Sequence, residues 1–314
     1  MQHAAVIFPG QGSQSVGMGK DVAERYAVAR AVFQQANDIL GFDLTELCFS
    51  GPAERLAQTD IQQPAIFVTS VAIWKAFEDS GGSLDQFRFA AGLSLGEYTA
   101  LHVAGAVDFQ AALRLVRRRG QLMQEAALAS PSGMVSLIGA EEAAARALCD
   151  KARGDAVLAP ANYNCPGQIV ISGSRAACDR AVDAAEEFKC RAIALRVAGA
   201  FHSPLMASAA NQLEPVLDGT DFRAPAVPVL SNVNAQPHQD AETTRRLLKD
   251  QVTHPVLWQR CVEQMIEAGV SRFFEVGPGR VLTGLMRKIN RNMTAVNVSS
   301  AESVDAATAT VRSS

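Results

Sequence analysis

Apolar positions along the chain follow two rhythms. Short unbroken runs, AAVIF at 4–8 and FRFAA at 87–91, have the length of strands buried on both faces, and each leads into a glycine-bearing turn, PGQG at 9–12 and GLSLG at 92–96. Residues 21–38 and 64–78 place apolar side chains three and four apart, which predicts helices. The second is so apolar on one side that it should lie at the centre of the molecule. From Leu95 the helical spacing resumes, and DFQAALRLVRRRGQLMQEAA at 108–127 predicts a long amphipathic helix with Asp108 as its N-cap.

The rhythm then changes. GMVSLIG (133–139) reads as a strand, EEAAARALCDKA as a helix, AVLAPANYN as a strand running into a loop, QIVISG as a strand, SRAACDRAVDAAEEF as a helix and RAIALRV (191–197) as a strand. That β-α-β-β-α-β order is the ferredoxin-like pattern. It predicts a small domain over 129–199 inserted into a larger α/β domain made of 1–128 and 200–314. In the larger domain a helix is expected near 203–217, a strand at VPVLSN (227–232), helices across 241–268, a strand at SRFFEVG (271–277) and a helix at GRVLTGLMRKI (279–289). Such alternation predicts a mostly parallel sheet with helices on both faces and ligands at the carboxyl ends of its strands.

Composition narrows the picture. With 314 residues, 48% of them hydrophobic and 19% charged, the chain can bury a large core in one or two domains, which excludes a disordered protein. A net charge of -3 provides no global field to draw it to nucleic acid. The start, MQHAAVIFPGQG, carries no basic leader with a long apolar core, and stretches such as QQPAIFVTSVAIW are too short to span a bilayer. A cytoplasmic protein with no membrane attachment is expected. Six scattered cysteines form no CxxC pair and no zinc spacing, and in a chain of this length they read as buried or idle thiols. Cys165 stands out only because NYNCPGQ reads as a polar turn.

The chemistry centres on Ser94, bracketed by Gly92 and Gly96. A serine on a sharp strand-to-helix turn needs small neighbours two residues away, and the turn aims the new helix's N–H groups at the same point. GxSxG alone is a weak pattern; a strand before it and a helix after it give it weight. The hydroxyl needs a base. Of His3, His102, His202, His238 and His254, His202 in VAGAFHSPLM is best placed, in a small-residue turn just before a helix, and His254 in QVTHPVLW is the rival. His238 lies in the polar segment NAQPHQD.

Seven spaced segments, FPGQGSQ (8–14), GLSLGEYTAL (92–101), RGQLMQEA (119–126), NYNCPGQ (162–168), GAFHS (199–203), HPVLW (254–258) and EVGPGRVLTGL (275–285), together resemble the malonyl-CoA:acyl carrier protein transacylase family over nearly the whole chain. The resemblance implies a hydrolase-like α/β domain with a ferredoxin-like insertion, and transfer of malonyl from malonyl-CoA to the phosphopantetheine thiol of acyl carrier protein in fatty acid synthesis. Acyl transfer between thiols through an oxygen ester implies no metal or redox cofactor. The resemblance also implies Ser94 as nucleophile, His202 as base, backbone N–H groups of Gln11 and Leu95 as the oxyanion site, and Arg119 as the partner of the malonyl carboxylate. Gln251 would orient His202 through its backbone carbonyl, and Asn162 and Asn164 would shape the site. A monomer is expected, with a basic rim for the acidic carrier drawn from Lys189, Arg191, Arg287, Lys288 and Arg291.

Two departures stand out. Leu93 replaces a histidine that many members carry beside the nucleophile, and Cys165 replaces a common serine. GAFHS favours malonyl over methylmalonyl by the same resemblance. Among other readings, a free-standing acyltransferase loading polyketide carriers would share these motifs. A serine esterase would want an Asp or Glu after a late strand and no Arg119. A dinucleotide fold fails because Ser15 stands where GxGxxG needs its third glycine.

Overall fold

The computed structural model describes residues 3–312. Among these residues eight strands form two sheets: β1 (Ala4–Phe8), β2 (Phe89–Gly92), β3 (Ser132–Ile138), β4 (Leu158–Cys165), β5 (Gln168–Ser174), β6 (Arg191–Ala194), β7 (Arg272–Val276) and β8 (Thr294–Val298). The first sheet is parallel in the order β2-β1-β7-β8, and the second is antiparallel in the order β4-β5-β3-β6.

Side chains on successive strand residues point to opposite faces, and this divides β1 between two cores. Val6 and Phe8 join the larger cluster, while Ala5 and Ile7 join a second one with Phe273, Trp258 and Met265. Helices cover both faces, so β1 reads as a continuous apolar run. The helix Thr59–Asp79 lies in the larger cluster and is buried over most of its length. Pro64 inside it has no N–H for the Asp60 carbonyl, and Arg117 from the facing helix Phe109–Ala129 donates to that carbonyl instead. As the sequence predicts, Asp108 caps the latter helix, accepting from the Ala111 N–H at 2.8 Å.

The antiparallel sheet is also divided by alternation. Val135, Leu137, Ile169 and Ile171 pack under the helices Glu142–Arg153 and Arg175–Ala184, whereas Met134 and Val170 belong to the larger cluster. One face of the small sheet thus has its own core and the other leans on the parallel-sheet body. The chain order of these elements is the predicted β-α-β-β-α-β.

Two expectations need correction, and two elements go unassigned. VPVLSN forms no strand: it meets β2 only through Ala90 N–H to Pro228 O and Leu230 N–H to Ala90 O, since Pro228 has no N–H to donate and the chain turns away at Ser231. The NYN segment is no loop, because β4 runs on to Cys165, whose thiol is 1% exposed and raised in pKa by that burial. β8 and the helix Ala301–Arg312 carry no assignment from the sequence; β8 is a half-exposed edge strand whose apolar signal is weak. Among the described residues no helix is long and apolar enough to cross a membrane.

Close backbone approaches assemble the carboxyl ends of the parallel strands. A Cβ on Gly92 would fall 1.9 Å from the Gly96 carbonyl carbon, and one on Gly96 would fall 2.1 Å from the Phe8 carbonyl oxygen. Gly96→Ala is therefore expected to cost about 3 kcal/mol or more and lower Tm by several degrees. Gly284→Ala, in a helix where an added Cβ meets nothing within 4 Å, should be neutral or stabilise by about 0.5–1 kcal/mol. Thermal melts of the two variants check both.

Candidate active site

The helix Leu95–Val103 begins directly after β2, and Ser94 sits in the bend at φ 53° and ψ -103°. A side-chain-bearing residue at such angles costs on the order of 1–3 kcal/mol and persists only where neighbours hold it. Asn232 Oδ1 accepts the Ser94 N–H at 2.6 Å, and Asn232 Nδ2 donates to the Gly92 carbonyl at 2.8 Å. Gln251 Nε2 donates to the Ser94 carbonyl at 3.0 Å. Both peptide groups of the serine are thereby pinned by side chains from distant segments.

His202 brings its Nε2 to 2.8 Å from Ser94 Oγ, and it too has a positive φ, 57°. The other ring nitrogen, Nδ1, lies 2.7 Å from the Gln251 carbonyl. Gln251 ends the helix Ala241–Gln251, where carbonyls lack intrahelical donors and the helix dipole is negative. That carbonyl fixes the tautomer with the proton on Nδ1, leaving Nε2 to accept from the hydroxyl. Burial, and secondly the Arg119 charge, push the His202 pKa down to about 4, with the Gln251 carbonyl opposing them. The imidazole is therefore neutral at pH 7 and able to take a proton.

Arg119 is 1% exposed. One terminal nitrogen donates to Gln63 Oε1 at 2.6 Å, and the other to Gln251 Oε1 at 2.9 Å and Ser94 Oγ at 3.1 Å. The guanidinium also lies over the Tyr98 ring, 5.2 Å from its centroid. Its hydrogen-bond partners are neutral, and no ion pair joins it to an Asp or Glu among the described residues. Gly120 lets the two long helices touch here, since a Cβ would fall 2.8 Å from the Thr59 carbonyl oxygen. Gln63 reaches Arg119 through that contact.

A cavity of about 180 Å³ opens in front of Ser94 and His202, lined by Gln11, Leu93, Asn162 and Asn164 among others, with Met134 and Val170 of the small sheet as its roof. The backbone N–H groups of Gln11 and Leu95 have no hydrogen-bond partner among the described residues. Gly10 brings the Gln11 turn close, because its Cβ would lie 2.2 Å from the Leu93 carbonyl oxygen. Such an arrangement can deprotonate a hydroxyl as it attacks a carbonyl, and can hold an anion beside it.

Ser94, His202, Arg119 and Gln251 thus form one bonded cluster, with Gln11, Leu95 and Asn162 at its edge. His254 is exposed in the turn after the helix Ala241–Gln251 and bonded to the Asp250 carbonyl, outside the cluster. His238 is not the surface residue its polar segment suggests, since it is buried against Glu97. Sequence reasoning missed Gln63, Glu97, Asn232 and the side-chain role of Gln251. Only Glu97, next to the GxSxG turn, carried a local signal: a charged residue in an otherwise apolar helix.

The acyl transferase domain family matches residues 6–309. A malonyl CoA-acyl carrier protein transacylase from Bacillus subtilis is 41% identical over 99% of this chain and 98% of its own. The solved transacylase of the same description from Coxiella burnetii superposes with a TM-score of 0.96 at 37% identity, covering 99% of this chain and 98% of that one. A malonyl-transacylase solved in complex with its type II polyketide acyl carrier protein does so at 0.95 and 41% identity, covering 98% and 100%.

Because the His202 pKa is depressed, the base stays unprotonated as pH falls well below 6.5, and the acid limb of Ser94 labelling by a sulfonyl fluoride should lie near pH 4. Arg119→Ala removes one of the two depressing causes, so its limb should move up toward the ordinary imidazole value; labelling rates between pH 3.5 and 8 check the direction.

Proposed function

The chain belongs to the acyl transferase domain family, its activity is malonyl transfer from coenzyme A to acyl carrier protein, and we propose that the malonyl group passes through an ester on Ser94. The observation that carries this reading is the buried Arg119 guanidinium, without a carboxylate partner, 3.1 Å from the nucleophile. Burying a cation is costly unless it does something, and a planar fork matches a free carboxylate. A malonyl group has its carboxylate two carbons from the reacting carbonyl, so one molecule can occupy both sites.

In this mechanism Ser94 Oγ attacks the thioester carbonyl while His202 Nε2 takes its proton. Gln11 and Leu95 N–H groups hold the oxyanion, which suits their lack of other partners. Collapse breaks the C–S bond, and His202 returns the proton to the coenzyme A sulfur. The carrier's phosphopantetheine thiol then enters, gives its proton to His202 and attacks the ester; the second collapse returns that proton to Ser94. Arg119 exchanges its bond to Ser94 Oγ for the malonyl carboxylate. Asn162 lines the same cavity and bounds the acyl group. The Gln251 carbonyl stands where a triad would place a carboxylate, and the helix end behind it stabilises the imidazolium that forms transiently. A serine esterase would have no use for Arg119.

The reading extends to architecture and setting. Residues 129–199 are assigned as a ferredoxin-like unit inserted into a hydrolase-like domain of 1–128 and 200–314. Fatty acid synthesis in the cytoplasm suits six free, buried thiols, and a monomer suits a site whose residues all come from one chain. At the cavity mouth Lys288 donates to Gln168, a lining residue, at 3.3 Å, which favours it as the rim cation that meets an acidic carrier. Lys189 and Arg191 border a separate depression and fit that role less well.

Brief exposure to malonyl-CoA should add one malonyl mass to the intact protein, and Ser94→Ala should abolish it. Arg119→Ala should slow malonyl loading about a hundredfold or more while changing acetyl loading far less, as expected for loss of a charge-assisted pair. No adduct from either thioester, with simple esters hydrolysed, would replace this reading by the esterase.

A further inference from the structure

Behind the nucleophile lie two side chains that the transfer reaction leaves without a role. Glu97 and His238 are both sealed from solvent, side chains 0% exposed, with His238 Nε2 2.8 Å from Glu97 Oε1. A carboxylate in such a place survives only if its oxygens are satisfied. The Asn232 N–H donates to Oε2 at 3.0 Å and Gln251 Nε2 to the same oxygen at 2.6 Å. Three residues from the stretch 232–251, each more than 130 positions from Glu97, thus converge on one carboxylate, three residues beyond the nucleophile. Among the described residues His238 Nδ1 has no hydrogen-bond partner, and Glu97 is the ring's one polar anchor.

Gln251 shows why this matters. Its Nε2 faces two acceptors, Glu97 Oε2 and the Ser94 carbonyl, so the amide must turn its oxygen to the other side, where it accepts from Arg119. A flipped amide would aim its NH₂ at the guanidinium, donor against donor. Glu97 therefore reaches the arginine through a single intervening side chain, and reaches the Ser94 N–H through Asn232.

We propose that Glu97, held in place by His238, is a positioning residue that fixes the Gln251 amide and with it the Arg119 guanidinium, and so sets the preference for acyl groups ending in a carboxylate over those ending in a methyl group. The proposal rests on the malonyl-transfer reading of the same site. Neither side chain touches the acyl group. Their effect is chiefly on where the guanidinium points when the carboxylate arrives, so it is felt more by malonyl than by acetyl, which meets only the share that passes through the Ser94 backbone.

The test compares rates of Ser94 acylation by malonyl-CoA and acetyl-CoA, with KM and maximal rate resolved and Tm measured on each protein. Glu97→Met and His238→Leu are expected to lower the malonyl-to-acetyl ratio about tenfold, chiefly through a higher malonyl KM. His238→Gln, whose amide nitrogen reaches the position of Nε2, should restore most of the ratio lost in His238→Leu. If either apolar variant does not fold, His238→Asn, whose amide stops short of Glu97, takes its place with the same expectation. An unchanged ratio, with or without a lower Tm, overturns the proposal, as does an equal loss for both thioesters. A wild type that forms no malonyl ester overturns the malonyl reading, and this inference with it.

Discussion

The site depends on a serine held where its backbone would not go by itself. At φ 53° Ser94 stands outside the regions that side chains tolerate, and its position is kept by Asn232, which accepts from its N–H, and by Gln251, which donates to its carbonyl. Around it, glycines at 10, 92 and 96 remove side chains that would collide with backbone. The hydroxyl, the Leu95 N–H and the Leu95 helix take their places from that bend, and the Gln11 turn packs against it at Gly10. The same two amides that hold the serine also meet Glu97, and one of them meets Arg119. Strain at the nucleophile and aim of the guanidinium are therefore not separate problems.

The electrostatics follow from burial. In the dry interior Arg119 and His202 cannot both be charged cheaply, and the arginine, far more basic, keeps its proton. The histidine is left neutral, as a base must be. An arriving carboxylate would offset the arginine charge and let the imidazole hold a proton more readily at the moment one is transferred. Substrate and base are thus coupled through a residue that bonds directly to the hydroxyl between them.

Much of this was legible in the sequence, and what was not has physical reasons. The buried strands, the long helices and the β-α-β-β-α-β segment declare themselves because their apolar periods are strong. Ser94 and His202 declare themselves because small residues surround them. VPVLSN imitates a strand in its apolar content, but its proline removes the hydrogen bond that pairing needs. Gln63, Asn232, Glu97 and His238 are polar residues whose importance lies in who faces them across the fold, more than 50 positions away in sequence for Gln63 and Arg119. No local pattern encodes that. The Pro64 and Gly120 contacts that bring two helices together are equally invisible until both helices are in place.

Ser94 rises from the parallel sheet, whereas His202 follows closely after β6, the last strand of the antiparallel one. The 2.8 Å bond between them therefore forms just where the chain comes back from the antiparallel sheet to the parallel-sheet body, beside the seam between the two. A small slip at that seam, with every strand and helix still formed, would part the pair. Heating or mild denaturant should silence such an enzyme before its secondary structure melts, so that catalysis serves as a gauge of how firmly the two bodies are seated.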